Sequence, residues 1–398
     1  MIDRGDNITG AKTTTNINTS GIPIDMESRT RFYKPRNYTT RTLVKQFGPM
    51  IAAKDMVHKY RERRPMANWT TIAVADAAGQ TTIEVDDYSI FHNDVVCWVI
   101  RDGEILMQLL VQDTSIDATV TIVNFTGTTG SGGLPVATEV GDIVVVGSEA
   151  HAEGEAVPDA YSNISVDQED YLMQIDRAVK QTDIEGAITH YDDREKKLVQ
   201  DTMMAWVEEN KKINMAMYLG SKTRETTTAS ARRYQFRGLI DRITENVDDY
   251  NGVGAGFTVQ AMQENMRKVT DDTPADGIPV FVSGVNINTA ISSWPDGSIR
   301  VDPSSEKWGI QVRIIQTQYG PVANVYDNTL TGRHGLADRG FLLNSAHMRQ
   351  LYLPDLPLRA YHNITNTRDI HNRENAISGT YGLQMALNEA FAAIKGVN

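Results

Sequence analysis

The sequence predicts an α+β protein with a small β-barrel or sandwich inserted ahead of its one long helix. Three observations predict it. Residues 68–148 hold five or six short strand-like runs, of which Thr81–Val85 and Thr119–Val123 alternate with period two. Residues 192–219 carry large apolar side chains at helical spacing. Residues 236–300 then alternate helical and strand patterns and 309–330 suit a long hairpin, with no internal repeat at 20–50 residues.

The chain has 398 residues, enough for two or three cores, and 40% hydrophobic with 23% charged residues fits a folded globular protein. No run of 18 uncharged apolar residues occurs, so a membrane span is not expected. Met1 to Asp6 lacks a basic segment followed by an apolar one, so no secretory signal is expected. Sequons such as Asn37-Tyr38-Thr39, and the tripeptide Arg4-Gly5-Asp6, therefore read as chance. Cys97 is the only cysteine and sits in Val95-Val96-Cys97-Trp98-Val99, which excludes an intrachain disulfide and fits a small buried hydrophobe.

The formal charge of −12 is unevenly spread. Residues 1–66 carry 13 Lys+Arg against 6 Asp+Glu, a net +7, and the remainder is −19. A basic arm on an acidic body can bind nucleic acid or lie on the acidic body of a neighbouring copy. An acidic body argues against wholesale nucleic-acid binding.

Residues 1–40 read as an extended arm, because Asn, Thr, Ser and Gly dominate Asn7 to Gly21 without period. Arg29, Arg31, Lys34, Arg36 and Arg41 interleave with Phe32, Tyr33 and Tyr38, a mix that suits stacking on nucleotides or clamping a protein surface. Leu43 to Val57 fits a loose helical stripe within 41–64, which Gly48-Pro49 should interrupt. In the β-rich stretch, strands are expected at Thr81–Val85, Val95–Ile100, Ile105–Val111, Thr119–Val123 and Val140–Val146, with an Asp102-Gly103 turn. Gly127 to Gly133 lacks the Lys-Ser/Thr ending of a phosphate loop and reads as a hairpin tip. Residues 149–190 show little that forms a core and read as a long excursion needing a partner.

The helix at 192–219 is the clearest element. Val199, Met203, Trp206, Asn210, Ile213 and Met217 recur at spacings of 4, 3, 4, 3 and 4, and are expected to face a core. Asp192, Asp193 and Glu195 suit its first turn and Gly220 its end. At ~1.5 Å per residue it would span ~42 Å. Further on, Phe257–Val269 and Asn286–Trp294 suit helices, Ile278–Gly284 a buried strand, and Ile310–Ile315 with Val322–Tyr326 a hairpin.

Chemistry is hard to assemble. None of the eight histidines stands in a His-x-x-x-His or His-Glu-x-x-His pattern, so no metal site is indicated. Asp248-Asp249 and Asp271-Asp272 lie in hydrophilic loops, where nothing desolvates a carboxyl for acid/base work. Gly252-Val-Gly254-Ala-Gly256 has the wrong spacing and context for a dinucleotide site. No catalytic residue and no cofactor is expected. Arg232-Arg233-Tyr234-Gln235-Phe236-Arg237 suits acidic residues of a neighbouring subunit or nucleic acid.

This order of elements resembles the major capsid proteins of tailed bacteriophages with the Hong Kong 97-like fold. The stretches that carry the resemblance are Glu153-Gly154 with Tyr161–Val166, Asp183-Ile184-Glu185 leading into the helix that ends Tyr218-Leu219-Gly220, Arg233-x-x-x-Arg237-Gly238-Leu239-Ile240, and Gln316–Val322 followed by Asp327 and Leu330. The resemblance implies a basic arm and first helix at 1–66, an inserted β domain at 67–148 and an extended loop at 149–190. It implies a peripheral domain with the spine helix at 191–235, a mainly axial domain at 236–305, and remaining strands at 306–398. The implied function is a self-assembling icosahedral shell of hexamers and pentamers around double-stranded DNA, in the virion, made in the host bacterial cytoplasm. Portal, scaffold and decoration proteins are implied partners, and no membrane is. Arg29, Arg31, Lys34, Arg36, Arg41, Arg232, Arg233 and Arg237 are then expected at contacts between subunits. An encapsulin-like compartment and an α/β enzyme with a barrel appendage are the alternatives. The Lys, Asn and Glu that some relatives use for isopeptide cross-links have no matched positions.

Overall fold

The computed structural model describes residues 39–63, 67–116, 119–124, 133–151, 153, 165–183, 197–225, 232–251, 256–272, 278–294, 301–307, 310–362, 364 and 372–397. Arg29, Arg31, Lys34, Arg36, the loop at 127–132, and residues 184–196, where the long helix was expected to begin, lie outside them. The chain divides into two compact units: 61–167, and the rest.

Helix α1 (Thr39–Gln46) stops before Gly48-Pro49, and the residues after it form strands β1 (Ile51–Ala52) and β2 (Val57–Glu62) instead of continuing a helix to 64. Proline removes a donor and clashes with the preceding turn, and here no helix resumes beyond it.

The unit 61–167 is built on a closed barrel. Its strands are β3 (Trp69–Val74), β4 (Thr82–Val85), β5 (Val95–Arg101), β6 (Glu104–Ile116), β7 (Thr119–Asn124) and β8 (Ile143–Glu149), in the spatial order β3-β4-β7-β6-β5-β8. Alternation places Ile72, Ile83, Val85, Val95, Cys97, Val99, Met107, Leu109, Val111, Val120, Ile122 and Val144 in one core. Burial pushes the Cys97 thiol up to about 12, so it packs as a neutral apolar group. The β5–β6 turn has Asp102 at φ 51° and Gly103 at φ 83°, the left-handed pair that a tight hairpin requires.

The other unit continues with β9 (Val166–Thr182), α2 (Lys197–Leu219), β10 (Thr223–Arg224), β11 (Tyr234–Gln235), the single turn α3 (Leu239–Arg242), β12 (Val247–Asp249), α4 (Val259–Asp272), β13 (Val280–Ser283) and α5 (Val285–Ser292). It ends with β14 (Val301–Lys307), β15 (Ile310–Thr317), β16 (Gly320–Tyr326), β17 (Gly340–Leu343), β18 (Met348–Tyr352), β19 (Arg359–Tyr361), β20 (Asn372–Met385) and β21 (Ala392–Lys395). One sheet runs β1-β18-β20-β9-β2, with β19 also on β20. A second runs β12-β21-β17-β13-β16-β15-β14.

Within 149–190, the described residues 166–182 are not the coreless excursion expected. Within them β9 pairs with β20 from Leu172↔Gly382 to Thr182↔Asn372, and Leu172 and Ile175 are buried. The partner strand lies about two hundred residues downstream in the sequence, so local pattern carries no trace of it. β2 is the neighbour of β9 on the other side. The barrel unit is therefore spliced between two adjacent strands of one sheet.

Two large cores and a small one around Ala53, Leu172 and Leu351 fill the larger unit. One joins Leu43 and Val44 of α1, Ile213, Met217 and Tyr218 of α2, and Val280, Val325, Phe341, Tyr381 and Leu383 of the sheets. The other packs Met262, Met266 and Val269 of α4 and Ile287 and Ile291 of α5 onto Phe281, Leu342 and Ile394.

Candidate assembly surface

The arm enters the folded body at α1, and a buried polar node holds that entry. Asp327, just after β16, is fully buried. Its Oδ2 accepts hydrogen bonds from Thr40 N (3.1 Å), Thr40 Oγ1 (2.8 Å), Asn214 Nδ2 (3.0 Å) and Tyr218 OH (2.7 Å), and its Oδ1 from Thr329 N (2.8 Å). The Thr40 and Tyr218 hydroxyl oxygens also lie against each other, each with its one hydrogen turned to Asp327. Burial, and then the Asp327 charge, hold the Tyr218 hydroxyl well above 10, so it stays a neutral donor. Asn214 bonds Thr329 Oγ1 and accepts from Arg41 N at 2.9 Å. One carboxylate thus clamps α1, α2 and the segment after β16 together, and two of the free N–H groups in the first turn of α1, those of Thr40 and Arg41, are satisfied.

Arg41, expected at a contact with a neighbouring subunit, is 2% exposed. Its guanidinium lies 5.9 Å from the Trp206 ring centroid and 5.4 Å from that of Tyr381. The cation is enclosed in its own chain by aromatic faces, which attract it electrostatically.

The apolar stripe on α2 also needs correcting. Ile213 and Met217 are buried and Trp206 is half-buried, but Met203 is 64% exposed and Val199 is exposed. The N-terminal half turns Leu198, Thr202, Ala205 and Glu209 inward instead. Its partners are polar: Thr202 Oγ1 accepts from Asn375 Nδ2 of β20 at 2.8 Å, and Glu209 pairs with Arg177 of β9 and Lys212.

The basic segment beyond α2 divides. Arg237 Nε donates to Asp241 Oδ2 at 2.9 Å and its Nη2 to Asp241 O at 2.9 Å, so it braces its own turn. Arg233 reaches Glu225 at 3.6 Å but stays exposed, and Arg232 is exposed. Between these residues and α2 the backbone crosses itself. A Cβ on Gly220 would lie 2.7 Å from Phe236 O, and one on Gly238 would lie 2.7 Å from Gly220 N. Gly220 ends the helix for this close approach, not for a left-handed cap.

The barrel carries a charged clasp. Glu149, closing β8, accepts from His92 Nε2 at 2.8 Å and His151 Nε2 at 2.9 Å, and His151 Nδ1 lies 3.6 Å from Asp94. Hydrogen bonds from His151 and then His92 hold the Glu149 carboxyl below 4.5. The bond to Glu149, with the charges of Glu149 and Asp94, lifts His151 above 6.5. The raised His151 stabilises fully below 6.5 and loses its contribution as pH rises through its folded value. The lowered Glu149 stabilises fully above 4.5 and loses its contribution as pH falls through its own. The melting temperature of His151→Asn is therefore expected to fall furthest below that of the unsubstituted chain between these two values. Melting curves of both from pH 3 to 9 check this, and a difference independent of pH would contradict it.

Among the described residues no group of three or more His, Cys, Asp and Glu converges on a metal-sized site. No described helix is long and apolar enough to cross a membrane.

Comparison with known proteins places this geometry. The family model described as SU10 major capsid protein matches residues 29–398. The capsid of a native GTA particle is 9% identical with a TM-score of 0.51, covering 98% of this chain and 100% of that one. The capsid of an empty GTA particle is 8% identical at the same TM-score and coverage. A chain of Microbacterium phage Oxtober96 is 11% identical with a TM-score of 0.46, covering 93% and 95%. At such identities the two GTA capsids show a shared fold. No curated protein matches the chain.

Proposed function

The chain belongs to the SU10 major capsid protein family, and from that premise we propose that it builds an icosahedral shell of the Hong Kong 97-like kind around double-stranded phage DNA. The observation that carries the reading is the family match, which runs from the basic segment of the arm to the last residue. A major capsid protein works in many copies, and this chain has the parts that bind copies together: a basic arm rooted in a buried node, and exposed basic side chains beyond the long helix.

In this reading α2 is the spine of the peripheral domain, which also takes in residues up to 235, and residues 236–305 are mainly axial. The barrel is an insertion in the sequence between β2 and β9. Arg29, Arg31, Lys34 and Arg36, with Arg232 and Arg233, face acidic surfaces of neighbouring copies, which close into hexamers and pentamers by heterologous contacts. The net −19 of residues 67–398 lets DNA pack against the shell without sticking to it. Portal, scaffold and decoration proteins are the further partners, and the subunit is made in the bacterial cytoplasm and ends in the virion. Its task is structural and needs no catalytic centre. An encapsulin-like shell would hold protein, which the family membership disfavours.

Electron microscopy of particles formed by the full chain tests the reading. Closed shells with five-fold and six-fold clusters are expected. Open aggregates without such clusters would contradict it.

A further inference from the structure

The barrel ends in a surface that, among the described residues, leaves several large apolar side chains exposed. Cross-strand pairs Thr71↔Ile143, Ile143↔Ile100 and Ile100↔Ile105 line up Thr71 and three isoleucines across four adjacent strands, β3-β8-β5-β6. Ile105 is 65% and Val140 68% exposed, and Ile143 and Val136 are exposed beside them. They lie at the end where β5 turns into β6. The chain enters and leaves at the other end, where Val95 pairs with Glu149.

The tip is rigid. Arg101 Nε and Nη2 grip Asp142 Oδ1 and Oδ2 at 2.8 and 2.7 Å, Nη1 reaches Glu139 at 2.8 Å, and Nη2 bonds Ala137 O at 3.2 Å. That fork ties the turn of β5–β6 to residues 137–142 and neutralises the only local cation. Asp102, Glu104 and Glu139 form an exposed acidic rim around the apolar centre. Residues 69–149 as a whole carry twelve Asp+Glu against Arg101 alone, a net −11.

A partner for this tip needs cations around apolar or aromatic side chains. One segment of the chain has that composition. Residues 28–38 hold Arg29, Arg31, Lys34 and Arg36 with Phe32, Tyr33 and Tyr38, and no acidic residue. Extended, these eleven residues reach ~36–40 Å from α1. Resting on the reading of the chain as a shell subunit, we infer that the barrel tip is the seat for the arm of a second copy, with its aromatic side chains on Ile105, Val140 and Ile143 and its cations on Asp102, Glu104 and Glu139. The contact is an acid-rimmed apolar site for a basic aromatic peptide, and it is weakened by salt.

Thiol cross-linking tests it, because buried Cys97 is inert. Shells are assembled from a mixture of Tyr33→Cys and Val140→Cys chains and treated with a short bismaleimide. Each chain then carries one accessible thiol, so a 33–140 link must join two copies. The expected result is a linked dimer at least about ten-fold above that from Tyr33→Cys with Asn93→Cys, a position at the barrel's other end. High salt before cross-linking should reduce it, and Phe32→Cys should reproduce it. A 140–140 link as the main product would overturn the inference, and so would a 33–140 link found only within one doubly substituted chain. Closed shells with no link above the Asn93→Cys level would overturn the docking alone. No shells from the unsubstituted chain would overturn the underlying reading as well.

Discussion

Asp327→Ala is expected to lower the unfolding free energy by about 4–6 kcal/mol. The carboxylate receives five hydrogen bonds from Thr40, Asn214, Tyr218 and Thr329 inside a site with no solvent access. Each buried donor left without an acceptor costs roughly 1–3 kcal/mol, and relaxation recovers part of the total. Asp327→Asn keeps the shape but turns an NH2 group toward some of the donors, so about half the loss is expected. Urea denaturation of both variants measures this. A loss under about 1 kcal/mol for the alanine variant would mean that the node does not hold α1.

Deleting residues 1–38 is expected to leave that fold intact and to cut shell yield at least about ten-fold. The truncation stops before Thr39 because Thr40 and Arg41 belong to the subunit's interior. Losing ~1.4 kcal/mol of contact free energy is ten-fold per contact, and a closed shell repeats each contact in every copy. The truncated chain should melt within a few degrees of the full one while staying small by gel filtration. Normal shells from it would remove the arm from assembly, and a large fall in melting temperature would place its role in folding.

Much of the fold was legible in the sequence wherever neighbours in sequence are neighbours in space. Strands β4 and β7 of the barrel alternate, β5 is a dense apolar run, the hairpin Ile310–Tyr326 carries its own turn, and α4 and α5 show helical stripes. Long-range partners were not legible. The polar residues of β9, such as Asp176, Arg177 and Lys180, read as loop because β20 comes much later in the chain. On α2 the period is right and the phase is wrong for one half. Where Ile213 and Met217 meet an apolar core the stripe marks the buried face, but Thr202 and Glu209 meet Asn375 and Arg177, and polar burial leaves no hydrophobic signature. The same blindness hid the Asp327 node. An Asp closing a strand and an Asn one turn beyond Asn210 look like surface residues until their partners are in place. Arg41 looked like one more arm cation, although Trp206 and Tyr381 enclose it.

Sedimentation and light scattering of the purified full chain decide whether it builds a shell. A discrete megadalton species far above the 44.2 kDa chain is expected, with the mass of a closed shell of many copies. A chain that remains a monomer at every concentration, with and without the co-expressed proteins of its own particle, would contradict it.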